Sequence, residues 1–221
     1  MSKHEELHPT LKTALHLDGS ADSVKEFYAD WAGNYDNDTL SWDYAAPTNA
    51  SILLGNVTKA QGVSFDGTNK NIKILDAGCG TGLLALILSQ AGYTHIDGFD
   101  LSDDMVKIAR KRSIYRNLQG NVNINEPVSE EHKGKYDCTI SIGVFTPGHV
   151  PPESLERLVE MTRPSGIVIV STRIAYYESE NYQSVANKLE TEGKIKLINS
   201  LKDSAYTTDE KAHYWVYLVT N

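Results

Sequence analysis

The sequence predicts a single α/β domain built on a doubly wound, mostly parallel sheet. From residue 72 onward, short β-branched runs alternate with amphipathic segments, and the last two runs follow each other without a helix between them. Alternating strands and helices imply parallel strands covered on both faces, and the final two strands are expected to form an antiparallel pair. The whole chain, residues 1–221, is expected to be one domain, since a domain has roughly 150 residues.

The first part of the chain is predicted to be helical rather than part of the sheet. Residues 1–20 are polar and are expected to be loose. Ser20–Ser23 offers helix N-caps before apolar residues that share one helical face, namely Val24, Phe27, Tyr28, Trp31 and Tyr35. Pro47 suits the first turn of a second helix. We therefore expect a helical lid over residues 22–60, followed by a loop rich in Gly, Asn and Asp.

Seven strands are predicted within a sheet core that spans residues 72–221. They are residues 72–75, 95–100, 121–125, 136–143, 166–171, 195–201 and 213–219. Helices are predicted at residues 83–91, 103–112, 152–161 and 181–191. In such sheets, ligands bind outside the carboxyl ends of the strands, where the strand order reverses. The functional residues are therefore expected in the loops that follow the strands.

Composition and charge narrow the classes of function. Hydrophobic residues make up 40% and charged residues 23%, as in soluble globular proteins. The 21 Lys and Arg against 29 Asp and Glu give a net charge of −8, which disfavours nucleic acid and anionic membranes as partners. No apolar run approaches the roughly 20 residues needed to span a bilayer. The two cysteines, Cys79 and Cys138, cannot form a disulfide framework, which favours a reducing, cytoplasmic location.

The most informative motif is ILDAGCGTGL, residues 74–83. Its glycines, Gly78, Gly80 and Gly82, let the backbone turn tightly and approach a ligand that a β-carbon would exclude. The helix that follows directs free backbone N–H groups at the same space. Asp76 would repel a pyrophosphate but attract a cation. This combination favours a ligand with an adenosine, an α-amino group and a sulfonium over a dinucleotide.

Two other nucleotide-binding motifs are not matched. A GxGxxG fingerprint counted from Gly78 requires a third glycine at position 83, which is Leu83, and no P-loop sequence is present. For the motif alone, a glycine-rich turn without a ligand stays open. Asp100 ends the second predicted strand, where a carboxylate can accept both hydroxyls of a ribose. Considered alone, Asp100 is an ordinary acidic residue near a helix N-terminus. Because the glycine loop is also present, a role in binding the ribose is favoured.

These motifs resemble those of the class I S-adenosylmethionine-dependent methyltransferases. The resemblance runs from about Tyr28 to Arg173 and rests on ILDAGCGTG (74–82), GFDLSDDM (98–105), KYDCTISIGVF (135–145) and RPSGIVIVSTR (163–173). The segments YADWAGNYD (28–36), HVPPESLERLVEMTRPSG (149–166) and HYWVYL (213–218) are similar to the methyltransferase-like group related to the Williams–Beuren syndrome region methyltransferase. The resemblance implies a Rossmann-like fold, S-adenosylmethionine as the cofactor and S-adenosylhomocysteine as the product.

The resemblance also implies which residues bind the cofactor. The loop around the methionine moiety would consist of Asp76, Gly78, Cys79, Gly80 and Gly82, with Cys79 contributing its backbone. Asp100 would hold the ribose hydroxyls, and Leu101 would lie against the adenine. Met105 either lines the same pocket or fills the core.

Further candidates come from three other segments. Glu126 would accept a hydrogen bond from the adenine amino group, and Gly143 would line the methyl side of the cofactor. Tyr28, Trp31 and Tyr35 match residues that cover the cofactor in related enzymes. The alternative is that these three aromatic residues belong to the core face of an amphipathic helix, and for Trp31 both interpretations stay open.

His149 is a candidate general base because it follows the fourth predicted strand, where related enzymes place acceptor-binding groups. A histidine with a pKa of about 6.5 can take a proton from an oxygen or nitrogen nucleophile, although a loop histidine without a catalytic role is the alternative. His4 and His8 lack a third ligand, so no metal site is predicted.

We therefore expect an S-adenosylmethionine-dependent methyltransferase that acts on an O or N nucleophile, most simply of a small molecule. One alternative is a protein that binds S-adenosylmethionine or S-adenosylhomocysteine as a sensor or scaffold, without transferring a methyl group. A weaker alternative is a nicotinamide-dependent oxidoreductase on a similar fold.

Overall fold

The computed structural model describes residues 8–220 and confirms the predicted α/β architecture. Its strands are β1 (Ile74–Ala77), β2 (Ile96–Phe99), β3 (Leu118–Gln119), β4 (Tyr136–Phe145), β5 (Thr162–Arg173), β6 (Ile195–Ala205) and β7 (Lys211–Val219). Its helices are α1 (Pro9–Ala14), α2 (Ala21–Trp31), α3 (Tyr35–Ser41), α4 (Ala46–Gly55), α5 (Leu83–Gln90), α6 (Asp103–Lys111), α7 (Ser154–Met161), α8 (Ile174–Ser179) and α9 (Tyr182–Thr191), with a single 3₁₀ turn at Lys59–Gln61. In this part of the chain, none of the helices has the length and apolar character needed to cross a bilayer.

The strand order explains where a ligand can bind. Among residues 8–220 the sheet has seven strands in the order β3-β2-β1-β4-β5-β7-β6. β1 pairs in parallel with both β2 and β4, so the strand order reverses at β1. β7 runs antiparallel between β5 and β6, as predicted for the C-terminal pair. The loops after β1, β2 and β4 therefore meet at one edge of the sheet.

The sheet separates two apolar cores because side chains alternate along each strand. In β5, Ile167 and Ile169 belong to the core that α4 and α5 cover, whereas Val168 and Val170 belong to the core that α7 and α9 cover. A strand buried on both faces needs apolar residues at successive positions. This requirement explains the run Ile167–Val170, and the cores hold the loops at the sheet edge in place.

The N-terminal segment contains more regular structure than the sequence predicted. Residues 1–7, which include His4, lie outside the described residues, but Pro9–Ala14 form α1. The aromatic face predicted as one helix is divided between α2, which ends at Trp31, and α3, which begins at Tyr35. Gly33 lies in the turn between them, and glycine is unfavourable inside a helix.

The third strand was predicted at residues 121–125, and this prediction was wrong. β3 lies at Leu118–Gln119 and pairs with β2. The following residues form a turn in which Asn121 has a φ of 57° and the N–H of Asn125 bonds Oδ1 of Asn123 at 3.0 Å. Asparagine side chains favour turns over strands through such local hydrogen bonds. The turn, rather than a strand, therefore borders the cleft described next.

Candidate active site

An open cleft of about 720 Å³, its mouth included, lies outside the carboxyl ends of β1, β2 and β4. The cleft wall brings together Tyr28, Tyr35, Gly78, Gly80, Asp100, Leu101, Met105, Gly143 and His149, all of them predicted from the sequence. Asp76 and Cys79 line a narrower recess beside the same glycine loop.

The glycine loop has a backbone that only glycine adopts without strain. The φ angles of Gly78, Gly80 and Gly82 are 80°, 53° and 87°. A β-carbon on Gly78 would overlap the side chain of Val144, so the loop and the end of β4 approach closely. A β-carbon on Gly82 would lie 3.2 Å from the ring of Tyr115. Gly82 thus allows the loop to pack closely against Tyr115, and it does not line the cleft.

Asp76 is a buried carboxylate at the base of the recess. The hydroxyl of Tyr115 donates to its Oδ2 at 2.7 Å, and Oδ1 receives no hydrogen bond from residues 8–220. Burial raises the pKa of Asp76 to about 7, although the Tyr115 bond acts in the opposite direction. A buried carboxylate with a free oxygen suits a cationic donor group.

Asp100 ties the end of β2 to the glycine loop. Its Oδ2 accepts the backbone N–H of Gly80 at 2.8 Å, and its Oδ1 accepts the N–H of Ser102 at 2.8 Å. Burial raises the pKa of Asp100, and these N–H groups oppose the rise. Each carboxylate oxygen has a second lone pair available, so two neighbouring hydroxyls can still be accepted.

His149 and Tyr28 form a partly buried pair between α2 and the loop after β4. The hydroxyl of Tyr28 lies 2.8 Å from Nε2 of His149, and Nδ1 lies 2.9 Å from the carbonyl oxygen of Pro147. Because a carbonyl only accepts, Nδ1 carries the proton and Nε2 accepts from Tyr28. Burial lowers the pKa of His149 to about 4, so the ring is a neutral acceptor at physiological pH.

Besides Gly82, two residues predicted for the cofactor site do not line the cleft. Trp31 is absent from the cleft wall; its Nε1 donates to Oδ2 of Asp38 at 2.7 Å, and its ring lines a second cavity. Glu126 is exposed and does not reach the cleft. The turn that replaces the predicted third strand lines the cleft instead, with residues 122–125. Glu126 was predicted because it would directly follow a strand at residues 121–125.

The second cavity, of about 410 Å³ with its mouth, adjoins the cleft. The two share Tyr28, Tyr35, Gly143 and His149. The remaining wall consists of Leu11, Ala14, Trp31, Thr39, Trp42, Tyr44, Thr146, Arg173, Tyr206 and Thr207. Sequence reasoning missed Trp42, Tyr44 and Tyr206 because they come from distant segments. An aromatic cluster of this kind is visible only in three dimensions.

Nucleophilic and metal chemistry find no support in the described chain. Cys79 and Cys138 are free and buried, and burial raises the pKa of both thiols. Across residues 8–220, no three His, Cys, Asp or Glu side chains are grouped so that they could hold a metal ion. The polar groups at the cleft are instead suited to binding an organic ligand.

The fold and the site together define a Rossmann-like protein whose glycine loop and strand-end carboxylates face one cleft, the class that the sequence motifs resemble. A family model described as "Methyltransferase domain" matches residues 53–217. The chain therefore belongs to this family, and its sequence motifs are those of the class I S-adenosylmethionine-dependent methyltransferases. The family resemblance seen in the sequence is confirmed.

Curated relatives include Methyltransferase-like protein 27 of Homo sapiens, which is 33% identical over 147 residues, covering 66% of this chain and 56% of that protein. The ubiquinone biosynthesis O-methyltransferase of Shewanella pealeana is 30% identical over 104 residues, covering 45% of this chain and 43% of that enzyme. The chain thus spans about half the length of the curated relatives it matches.

Solved structures share the fold at low sequence identity. A TehB-like S-adenosylmethionine-dependent methyltransferase from Corynebacterium glutamicum has a TM-score of 0.62 at 16% identity, covering 88% of this chain and 99% of that one. The [4+2]-cyclase SpnF has a TM-score of 0.64 at 13% identity, covering 94% and 99%. Because one of these relatives is named a cyclase, the fold alone does not set the reaction.

Proposed function

We propose that the protein transfers the methyl group of S-adenosylmethionine to an oxygen or nitrogen atom of a small molecule. The observation that carries the proposal is the junction of two cavities at Gly143, Tyr28 and His149. The cleft has the features of a cofactor site, and the second cavity would hold an acceptor beside it. Relatives named ubiquinone biosynthesis O-methyltransferase support a small-molecule acceptor and transfer to oxygen.

The residues of the cleft fit this cofactor. Asp76 offers a free carboxylate oxygen to the α-amino group, and the backbone of the glycine loop leaves the space that a β-carbon on Gly78 would fill. Asp100 would accept the ribose hydroxyls, and Leu101 and Met105 would pack against the adenine. When bound, the cofactor supplies an electrophilic methyl group, and its transfer breaks the carbon–sulfur bond and leaves S-adenosylhomocysteine.

His149 would receive the proton of the acceptor. His149 lines both cavities, and its unprotonated Nε2 accepts the Tyr28 hydroxyl in the absence of an acceptor. An acceptor hydroxyl or N–H that replaces Tyr28 at Nε2 loses its proton to His149 as the new bond to carbon forms. The remaining contribution of the protein is orientation and exclusion of water by the buried aromatic walls.

The second cavity also bears on the size of the acceptor. Leu11 and Ala14 of α1 form part of its wall, together with residues of α2, so the N-terminal helices restrict access. Together with the net charge of −8, this restriction favours a small molecule over nucleic acid. We also propose a reducing, cytoplasmic location, which the free thiols of Cys79 and Cys138 support.

The experiment is transfer of a tritiated methyl group from S-adenosylmethionine to a cell extract separated into small molecules and macromolecules. We expect label in the small-molecule fraction and a rate about 100-fold lower for His149→Asn, the usual range for loss of a general base. His95→Asn is the matched control because His95 precedes β2, at the opposite end of the sheet from the cleft. Tight binding of S-adenosylhomocysteine without any label transfer would instead establish a binding protein.

A further inference from the structure

We infer that the second cavity selects a neutral, planar aromatic acceptor that carries a phenolic hydroxyl or a ring N–H. The inference rests on the proposed function, which supplies the methyl donor, and it adds the chemical class of the acceptor. It follows from two properties of the wall: ring geometry and charge.

Six of the fourteen residues in the described wall are Tyr or Trp, and their rings pack against one another. Tyr28 and Trp31 stack with centroids 5.9 Å apart at 24°, and Trp31 lies 5.7 Å from Trp42. Tyr44 and Tyr206 meet edge to face at 5.1 Å. Rings fixed by their neighbours present rigid faces and edges, and a planar aromatic ligand can continue this packing.

The charge of the wall disfavours an anion. Arg173 is the one residue of the described wall with a full positive charge, and it is buried and paired with the carboxylate of Glu210. Its guanidinium also lies within 3.4 Å of the Thr146 hydroxyl. An acidic ligand would therefore meet a neutralised cation and the negative faces of aromatic rings.

A cationic ligand is disfavoured for a different reason. Aromatic faces attract ammonium groups, but the Arg173 guanidinium already lies 5.4 Å from the centroid of the Tyr206 ring. An ammonium nitrogen also lacks the lone pair needed to attack a methyl group. In the proposed complex, the cofactor sulfonium would add a second positive charge across the junction at Gly143. A neutral ligand avoids each of these costs.

The test is calorimetric titration with 1-naphthol, 1-naphthoate and 1-naphthylmethylammonium, each in the presence of saturating S-adenosylhomocysteine. These probes share one ring system and differ in charge. We expect 1-naphthol to bind at least about tenfold more tightly than either charged probe. Trp42→Leu should weaken 1-naphthol binding about tenfold without changing the affinity for S-adenosylhomocysteine, which reports an intact fold. Tyr177→Phe, whose hydroxyl bonds Gln183 away from the cavity, is the control.

Glu210→Gln gives a second and independent test. This variant keeps a side chain that can bond Arg173 but removes its negative charge, so the preference should shift about tenfold toward 1-naphthoate. If the charged probes bind the wild type as tightly as 1-naphthol while S-adenosylhomocysteine still binds, the acceptor class is wrong and the proposed function stands. If S-adenosylhomocysteine does not bind at all, the proposed function fails, and the inference fails with it.

Discussion

Oδ1 of Asp36, in the first turn of α3, accepts a hydrogen bond of 2.5 Å from the hydroxyl of Thr81 in the glycine loop. The same carboxylate is paired with the guanidinium of Arg112, whose Nε donates to the carbonyl oxygen of Thr81 at 2.7 Å. These contacts join α3 to the glycine loop at the place proposed for the cofactor. Order in the neighbouring helices α2 and α3 and occupancy of the cleft should therefore depend on each other.

The first prediction concerns this connection. Asp36→Ala removes both contacts, so amide exchange over residues 22–36 should become faster. The affinity for S-adenosylhomocysteine should fall by about 1–2 kcal/mol. This loss is below the usual range for hydrogen bonds to charged groups because Asp36 is partly exposed. In the wild type, the ligand should slow exchange in residues 22–36 more than in residues 153–161. Asp30→Ala, at an exposed position of α2, is the control. Slow exchange that neither the ligand nor Asp36→Ala alters would mean that α2 is an ordinary core helix.

The second prediction is a pH dependence of ligand binding that comes from Asp76. The pKa of its carboxyl is raised to about 7 by burial, so the ionised form that attracts an ammonium group increases as the pH rises through about 7. The affinity for S-adenosylhomocysteine, measured by calorimetry, should therefore increase between about pH 6 and about pH 8. In Asp76→Asn this increase should disappear and binding should weaken, whereas Asp97→Asn should behave as the wild type.

The stability of the ligand-free protein should depend on pH in the opposite sense. A carboxyl whose pKa is about 7 in the folded protein, against an ordinary value of 3.8, binds more protons when the protein is folded. Its contribution to the free energy of unfolding therefore falls as the pH rises through this window. Asp76→Asn should raise the Tm of the ligand-free protein at about pH 8 and have a smaller effect at about pH 5. An equal change in Tm at both pH values would show that ionisation of Asp76 does not set the pH dependence of stability.

The third prediction is that Asp100→Ala lowers the affinity for S-adenosylhomocysteine by about 2–3 kcal/mol. The carboxylate is expected to hold the ribose, and it also fixes the glycine loop through the N–H of Gly80. Circular dichroism should show an unchanged fold because Asp100 lies just beyond the end of β2. Asp104→Ala, on the exposed side of α6, should bind normally. Unchanged affinity in folded Asp100→Ala would exclude this residue from the site.

The fourth prediction compares two glycines with similar backbone conformations. Gly143 and Gly134 have φ angles of 82° and 63°, so alanine should cost about 1–2 kcal/mol of stability at either position. A β-carbon at position 143 would lie 2.7 Å from the Tyr44 hydroxyl, whereas nothing lies within 4 Å at position 134. Methyl transfer should therefore fail only in Gly143→Ala. Equal activity of the two variants would show that the cavity junction is not the place of transfer.

Much of this fold could be predicted from sequence because local patterns determine it. The strand ILDA and the run IVIV are buried on both faces of a parallel sheet, and such strands are apolar at successive positions. The glycine loop was predictable because its positive φ angles demand glycine. Gly78, Gly80 and Asp100 consequently reach the cleft as expected.

The features that were missed depend on contacts between distant segments. Asp36 meets Thr81 and Arg112 only because α3 lies against the loop, and no local pattern signals this. Tyr115 reaches Asp76 across 39 positions of sequence. Polar and apolar residues alternate along Asn121–Asn125 as they would in a strand, although the Asn123 side chain bonds the local backbone and the segment forms a turn.

The measurement that tests the central claim most directly is calorimetric titration of the purified protein with S-adenosylhomocysteine and, separately, with NAD. A dinucleotide needs a site for its pyrophosphate after the first strand. This chain instead has the carboxylate of Asp76 there, together with a glycine loop whose spacing, at Gly78, Gly80 and Gly82, differs from the dinucleotide-binding motif. We predict one S-adenosylhomocysteine bound per chain and no measurable heat with NAD. Tighter binding of NAD than of S-adenosylhomocysteine would contradict the assignment of the cleft and of the methyl donor.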